Sequence, residues 1–390
     1  MASPALAEAA VVVDGDGTIV AIGPRTAIKP EFASLPEERA QGALLPGLVN
    51  AHTHFELSVL AGCLPGGEGL PLWAMRVGRE AAAFSPEQRR DAARRAALAA
   101  AAAGTAAVGD VGNTLAAVPA LASAGLGGVF FHELLGSRDA ATGDAIADAE
   151  REYREFASPW PANLARVMAP HALYSAGPEL LRRIFAAASR ATSIHVAEGQ
   201  DEIQLLRDGS GPWAEILALL KVSTGSRTPG LHPIAYLESL GAFARGRPPL
   251  LVHMVCADAD DIALAQKHRA PVVLCPRSNL HIGGRLPDVR AFLAAGLGLA
   301  LGTDSLGSSP DVSLWGEMAA LASQFPDVAP EIWLHAATGG GAAALGLSAL
   351  GALAPGKRPG IIDVTPVDPK APCAALVASA SPSVRWVARP

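Results

Sequence analysis

The sequence predicts an α/β fold, a (β/α)8 TIM barrel with a small β-sandwich-like domain formed by both termini. Three observations lead there. Between residues 46 and 345, short β-like runs alternate with helical segments, the pattern of parallel βαβ units. Eight such strand runs can be counted, the number a closed barrel needs. The ionisable residues His52, His54, Asp110, Glu133, His171, His195, His253 and Asp304 all fall at or near the C-terminal ends of these runs. A doubly wound sheet would also alternate, but the shared end decides for the barrel, whose C-terminal rim collects residues far apart in sequence.

The elements follow in order. Residues 1–45 are the N-terminal part of the small domain; "AVVVDGDGTIVAIG" reads as two short strands joined at a Gly-Asp-Gly turn. The barrel, residues 46–345, has its strands at "GLVNAHTHF" (47–55), "AAVGDV" (106–111), "GGVFFHELL" (127–135) and "ARVMAPHAL" (165–173). "TSIHVAE" (192–198), "PLLVHMV" (249–255), "PVVLCP" (271–276) and "GLALGTD" (298–304) complete the set. Among the helices between them, "SPEQRRDAARRAALAAAAAG" opens on a Ser cap followed by Pro and closes at Gly104. Residues 346–390 return to strand and turn in "PGKRPGIIDVTPVD" and form the C-terminal part of the small domain. The segment between Leu206 and Leu240, rich in Gly, Ser and Pro, reads as a specificity loop.

Composition narrows the function. With 390 residues, half of them hydrophobic and 17% charged, the chain can bury an enzyme-sized core. A net charge of -6 gives no footprint for nucleic acid. The longest apolar stretch, residues 96–108, is shorter than the roughly 20 residues of a membrane span. Cys63, Cys256, Cys275 and Cys373 show no CxxC spacing, and no targeting signal stands at the start, so a cytoplasmic protein is expected. The expected partner is a small-molecule substrate, without nucleic acid or membrane, in a chain that could form a homodimer.

The chemistry starts at "NAHTH". Residues i and i+2 of a strand point to one face, so His52 and His54 can reach one ion. Alone the pair is a weak signal. His195 on the fifth strand and Asp304 on the eighth complete three imidazoles and a carboxylate, donors suited to one Zn²⁺ or Fe²⁺ per chain. Such an ion brings the pKa of a water to about 7. Glu198, three residues after His195, could carry a proton from water to substrate, or could simply complement a helix N-terminus. His253 could hydrogen-bond a developing oxyanion, and Asp304 could serve as ligand and base.

Taken together, "VVVDGDGTIVAIGP", "PGLVNAHTH", "APHALYS", "HVAEGQDE", "LVHMVCADADDI", "CPRSNLHIGG", "LGTDS" and "LAPGKRPG" resemble the amidohydrolase superfamily, in its deaminase and chlorohydrolase branch. The resemblance spans nearly the whole chain. It implies a mononuclear site with His52, His54, His195 and Asp304 as ligands, Glu198 as proton shuttle, His253 as orienter and His171 near the substrate. The fourth strand ends in "APHAL", without the lysine that bridges two metals in the hydantoinase-like relatives.

Within the branch, "HVAEGQDEIQLLRDGSGPW" and "HPIAYLESLGAFARGRPPLLVHMV" are similar to the aminofutalosine deaminase group, which implies exchange of a purine 6-amino group for oxygen with release of ammonia. A benzoate-bearing substrate would need a donor, for which Arg277, Arg138, Arg76 and Arg79 are candidates. Trp73 and Trp213 could stack on rings or pack in the core, and Ser278 and Asn279 could meet substrate or shape a turn. The alternatives are deamination of adenosine, S-adenosylhomocysteine, guanine or cytosine, chloride displacement from a triazine, or a non-catalytic barrel scaffold. Two departures concern the small domain. The chain begins ten residues before "VVVDGDG", where relatives carry a further strand, and "PGIIDVTP" replaces the usual tail.

Overall fold

The computed structural model describes residues 5–32, 34–136, 142–222 and 225–390. At the N-terminal end, β1 (Ala9–Val13) and β2 (Ile19–Pro24) pair antiparallel, with Asp14 and Asp16 accepting the Thr18 amide across the turn. β3 (Ala43–Pro46) leads directly into the barrel. One arc of the barrel comprises β4 (Leu48–Thr53), β5 (Thr105–Gly112), β6 (Gly127–Leu134) and β7 (Leu164–Pro170), all parallel. The other comprises β8 (Ser193–Val196), β9 (Leu250–His253), β10 (Val272–Leu274) and β11 (Leu299–Leu301). Parallel bridges Ala172↔His195 and Thr53↔Asp304 join the arcs at both seams and close the ring.

Each of the eight strands overlaps the run expected to form it; β5 extends one residue past its run at both ends and β7 begins one residue earlier, while the other six lie within theirs. β4, β5 and β6 are buried along their whole length, as parallel strands covered on both faces must be. The helix Pro86–Ala102 has the Ser85 cap and a reciprocal bond with Gln88, and it buries Ala92, Ala93, Ala96, Ala97, Ala100 and Ala101. Methyl-sized side chains let this helix lie close to the barrel wall.

Both ends of the chain share one small sheet. β12 (Ile361–Thr365) pairs antiparallel with β3 on one side and with β13 (Ser383–Ala388) on the other. The β1–β2 hairpin is tied to the tail by Ile19 N to Lys357 O, 2.8 Å, and Gly356 N to Ile19 O, 2.8 Å. Trp386 anchors the sheet to the barrel by donating from Nε1 to the Ala101 carbonyl at 2.7 Å. Among the described residues no helix is long and apolar enough to cross a membrane.

The segment read as a specificity loop contains the helices Pro212–Leu219 and Pro233–Ser239. Each has proline in its first turn, where the missing N–H costs nothing, so residues that suggested a loop here mark helix starts.

Arg277, expected as a substrate-binding residue, is engaged by neighbouring acidic and backbone groups. Nε donates to Glu317 Oε1 at 2.7 Å, Nη2 donates to Asp311 Oδ1 at 2.7 Å and to Ser313 O at 3.0 Å, and the backbone N–H meets Glu317 Oε2 at 3.0 Å. The guanidinium therefore clasps helix Pro276–Gly283 to helix Leu314–Gln324. Glu317 is fully buried, so removing its cation leaves a carboxylate stranded in the core. Arg277→Ala is expected to cost about 3–5 kcal/mol of stability, read as a lowered denaturant midpoint. The Arg277→Met, Glu317→Leu double variant should recover much of that loss.

Candidate active site

The strand ends deliver the polar residues to one place. His52 and His54 lie at the end of β4 and just beyond it, His195 lies on β8, and Asp304 follows β11. His54 Nε2 is 3.2 Å from His52 Nε2 and 3.2 Å from His195 Nε2. Asp304 Oδ1 is 3.5 Å from His54 Nε2 and 3.8 Å from His52 Nε2. All four are buried. A second group, Glu133, His171 and His195, and a more exposed third, His232, Asp258 and Asp261, also bring ligand-type atoms together.

The backbone at these strand ends is unusual. Ala197, His253, Met254 and Asp304 all have positive φ, a conformation that costs a side-chain-bearing residue energy and tends to gather at functional sites. Thr303 and Asp304 both donate their amides to the His52 carbonyl, at 3.0 and 3.1 Å. Gly302 makes that approach possible, since a Cβ there would lie 2.7 Å from the same carbonyl oxygen.

Surrounding contacts fix two of the imidazoles, those of His195 and His54. His195 Nδ1 donates to the His171 carbonyl at 2.8 Å, and His54 bonds the Val111 backbone. Each therefore presents its Nε2 lone pair to the centre when neutral. Burial holds His54 down to about 4 and pushes His52 well below the ordinary range, the neighbouring imidazoles adding to the effect on His52. Burial works to raise Asp304, but His54, His253 and the Ser278 hydroxyl outweigh it and keep the carboxylate ionised. Three neutral nitrogen donors and one carboxylate are a donor set that fits a divalent cation.

Two further groups face this centre. Glu198 Oε2 lies 3.6 Å from His253 Nε2. Burial raises Glu198 well above the carboxylate range, with Asp304 and Glu202 adding to it, while burial lowers His253 to about 3. Asn279 Nδ2 donates to His253 Nδ1 at 2.9 Å, which leaves the proton of the neutral ring on Nε2, toward Glu198.

Several placements depart from expectation or add to it. Ser278, expected to meet substrate, is fully buried and donates from Oγ to Asp304 Oδ2 at 2.5 Å, so it aims the carboxylate instead. His171 stands at the mouth with Nδ1 2.6 Å from Ser175 Oγ and its ring centroid 4.8 Å from that of His195. Trp73 is partly buried against a cluster that includes Leu70, Tyr174 and Trp213, in which Tyr174 and Trp213 stack at 3.8 Å. Leu70 of the same cluster lies beside Gly199, next to Glu198. Arg76 pairs with Glu68 and Arg79 with Glu80, while Arg138 lies outside the described residues.

Sequence reasoning gave no role to Glu202 or Glu133. Glu202 is buried in the first turn of helix Gln200–Asp208 and accepts the Glu198 amide at 3.3 Å; its position four residues after Glu198 was the available signal. Glu133 is buried at the end of β6, with burial raising it to about 8.

The amidohydrolase family model matches residues 43–385. An aminodeoxyfutalosine deaminase of Deinococcus radiodurans is 31% identical over 348 residues, 86% of this chain and 81% of that protein. A 5-methylthioadenosine/S-adenosylhomocysteine deaminase of Pelotomaculum thermopropionicum is 27% identical, covering 88% of this chain and 77% of that one. In fold, the chain is similar to the crystal structure of Helicobacter pylori aminofutalosine deaminase in complex with methylthio-coformycin, with a TM-score of 0.85 at 24% identity over 98% and 94% of the two chains. The chain belongs to the amidohydrolase family, as a hydrolase acting on carbon–nitrogen bonds.

Proposed function

We propose that the chain hydrolytically deaminates a 6-aminopurine nucleoside, with aminodeoxyfutalosine as the substrate and menaquinone biosynthesis as its setting. The observation that carries the chemistry is the meeting of three imidazole Nε2 atoms and the Asp304 carboxylate beside Glu198 and His253. The substrate rests on the aminodeoxyfutalosine deaminase relative at 31% identity.

On this reading His52, His54, His195 and Asp304 hold one divalent cation, zinc or ferrous iron. Bound there, the cation supplies Lewis acidity that brings the ionisation of water to a pKa of about 7. The residues of the chain handle the protons. Glu198, as the carboxylate, takes one from the attacking water and then delivers it to the ring nitrogen next to the reacting carbon; burial raises its proton affinity and so strengthens it as the acceptor. His253 Nε2–H donates to the oxygen entering at that carbon. Asp304 accepts the second water proton and passes it to the departing amine, which leaves as ammonia. His171 borders the ring, and Trp73, half-buried against the cluster that holds the stacked Tyr174 and Trp213, is the aromatic side chain with surface left for an aryl tail.

A second reading, deamination of 5-methylthioadenosine or S-adenosylhomocysteine, is favoured by the Pelotomaculum relative and would use the same residues.

Ammonia release separates the readings. The metal-loaded protein is expected to prefer aminodeoxyfutalosine over 5′-methylthioadenosine, S-adenosylhomocysteine, adenosine, guanine, cytosine and a chlorotriazine. In Glu198→Gln, kcat should fall about 10²–10⁴-fold with metal content unchanged. Near-normal turnover by that variant would remove Glu198 from the mechanism. For Ser278→Ala, competition with a chelator should show metal held about 10–100-fold more weakly, whereas unchanged retention with a raised KM would return Ser278 to the substrate.

A further inference from the structure

Glu133 is a buried acceptor that the chemistry above does not use. Strand alternation turns its neighbour His132 outward, where His132 meets Arg166 and Glu152. Glu133 faces the opposite way, toward the site, at 5% exposure. Its Oε2 accepts from Asn113 Nδ2 at 3.0 Å, and Asn113 is itself held by Glu56 Oε1 through a 2.8 Å bond from its backbone amide. Oε1 has no hydrogen-bond partner among the described residues. It stands 3.6 Å from His195 Nδ1, but that nitrogen gives its proton to the His171 carbonyl at 2.8 Å. A buried acceptor fixed on one side and unmatched on the other is costly until a donor meets it.

Resting on the nucleoside reading of the preceding section, we infer that Glu133 Oε1 accepts a hydrogen bond from a sugar hydroxyl of the substrate and selects ribosides over deoxyribosides and free bases. A carboxyl oxygen can take an O–H donor from a ribose but offers nothing to a C–H in its place. A site built to meet a hydroxyl rejects the analogue lacking it more strongly than an apolar pocket rejects a lost methylene.

The test uses metal-loaded wild type and Glu133→Gln. In the variant, Asn113 Nδ2 keeps the amide oxygen on its own side and so turns the NH2 toward the substrate, replacing an acceptor by a donor. The substrates are whichever of aminodeoxyfutalosine, 5′-methylthioadenosine and adenosine is deaminated fastest, its 2′-deoxy and 3′-deoxy forms, and adenine. Wild type should lose about 10–100-fold in kcat/KM when one of the two hydroxyls is removed. Glu133→Gln should narrow that gap to within about threefold, by losing activity on the riboside and not on the deoxy form. Equal treatment of all three nucleosides by wild type overturns the inference whether or not the variant folds. A variant that loses riboside and deoxyriboside activity alike also overturns it, assigning Glu133 to the support of His195. Wild type that acts on adenine or on a chlorotriazine but on no nucleoside would overturn the nucleoside reading, and the inference with it.

Discussion

The structure is organised around the crowding of three imidazoles. His54 Nε2 stands 3.2 Å from both His52 Nε2 and His195 Nε2, in a buried setting that keeps the rings neutral. Lone pairs so close repel one another unless a cation or a shared proton lies between them. Asp304 brings a carboxylate to the Nε2 side of the cluster, and Ser278 Oγ donates to its other oxygen. The barrel brings these donors from its first, fifth and eighth strands to one point, and the proposed metal is what makes the crowding favourable.

The rest of the fold serves that point. The Thr53↔Asp304 bridge closes the barrel where the ligand-type residues must meet, and the His52 carbonyl receives two amides across this seam. Gly302 allows the approach. Positive φ values at Ala197, His253 and Asp304 bend the chain at the end of each of three strands, so strain is concentrated where direction matters. Around them a ring of ordinary contacts fixes orientation: the His171 carbonyl for His195, Asn279 for His253 and Glu202 for the Glu198 backbone. A reaction that moves protons among Glu198, His253 and Asp304 depends on these contacts as much as on the groups themselves.

Much of this was legible in the sequence. The eight strands could be read because each is an apolar run, seven of them punctuated by an ionisable residue at or near the end, and the rule that barrel sites form at those ends gathered His52, His54, His195, His253 and Asp304. What the sequence concealed was direction and long-range pairing. Arg277 lies on the rim in sequence, but its guanidinium is claimed by Glu317, forty residues on, which only tertiary packing reveals. Ser278 sits beside it and turns to Asp304 for the same reason. Alternation says that His132 and Glu133 face opposite ways but not which one faces in; Arg166, arriving from the neighbouring strand β7, decides that. The helices within residues 206–240 escaped because Gly and Pro serve as readily to start a helix as to make a loop.

The central claim, that these four residues form one metal site, is tested most directly by anomalous scattering from a crystal of the zinc-loaded protein. One peak bound by Nε2 of His52, His54 and His195 and by Asp304, at the usual zinc distances of about 2.0–2.2 Å, is the predicted result. A peak held instead by Glu133, His171 and His195, or by His232, Asp258 and Asp261, would contradict it, as would a crystal with no zinc at the strand ends.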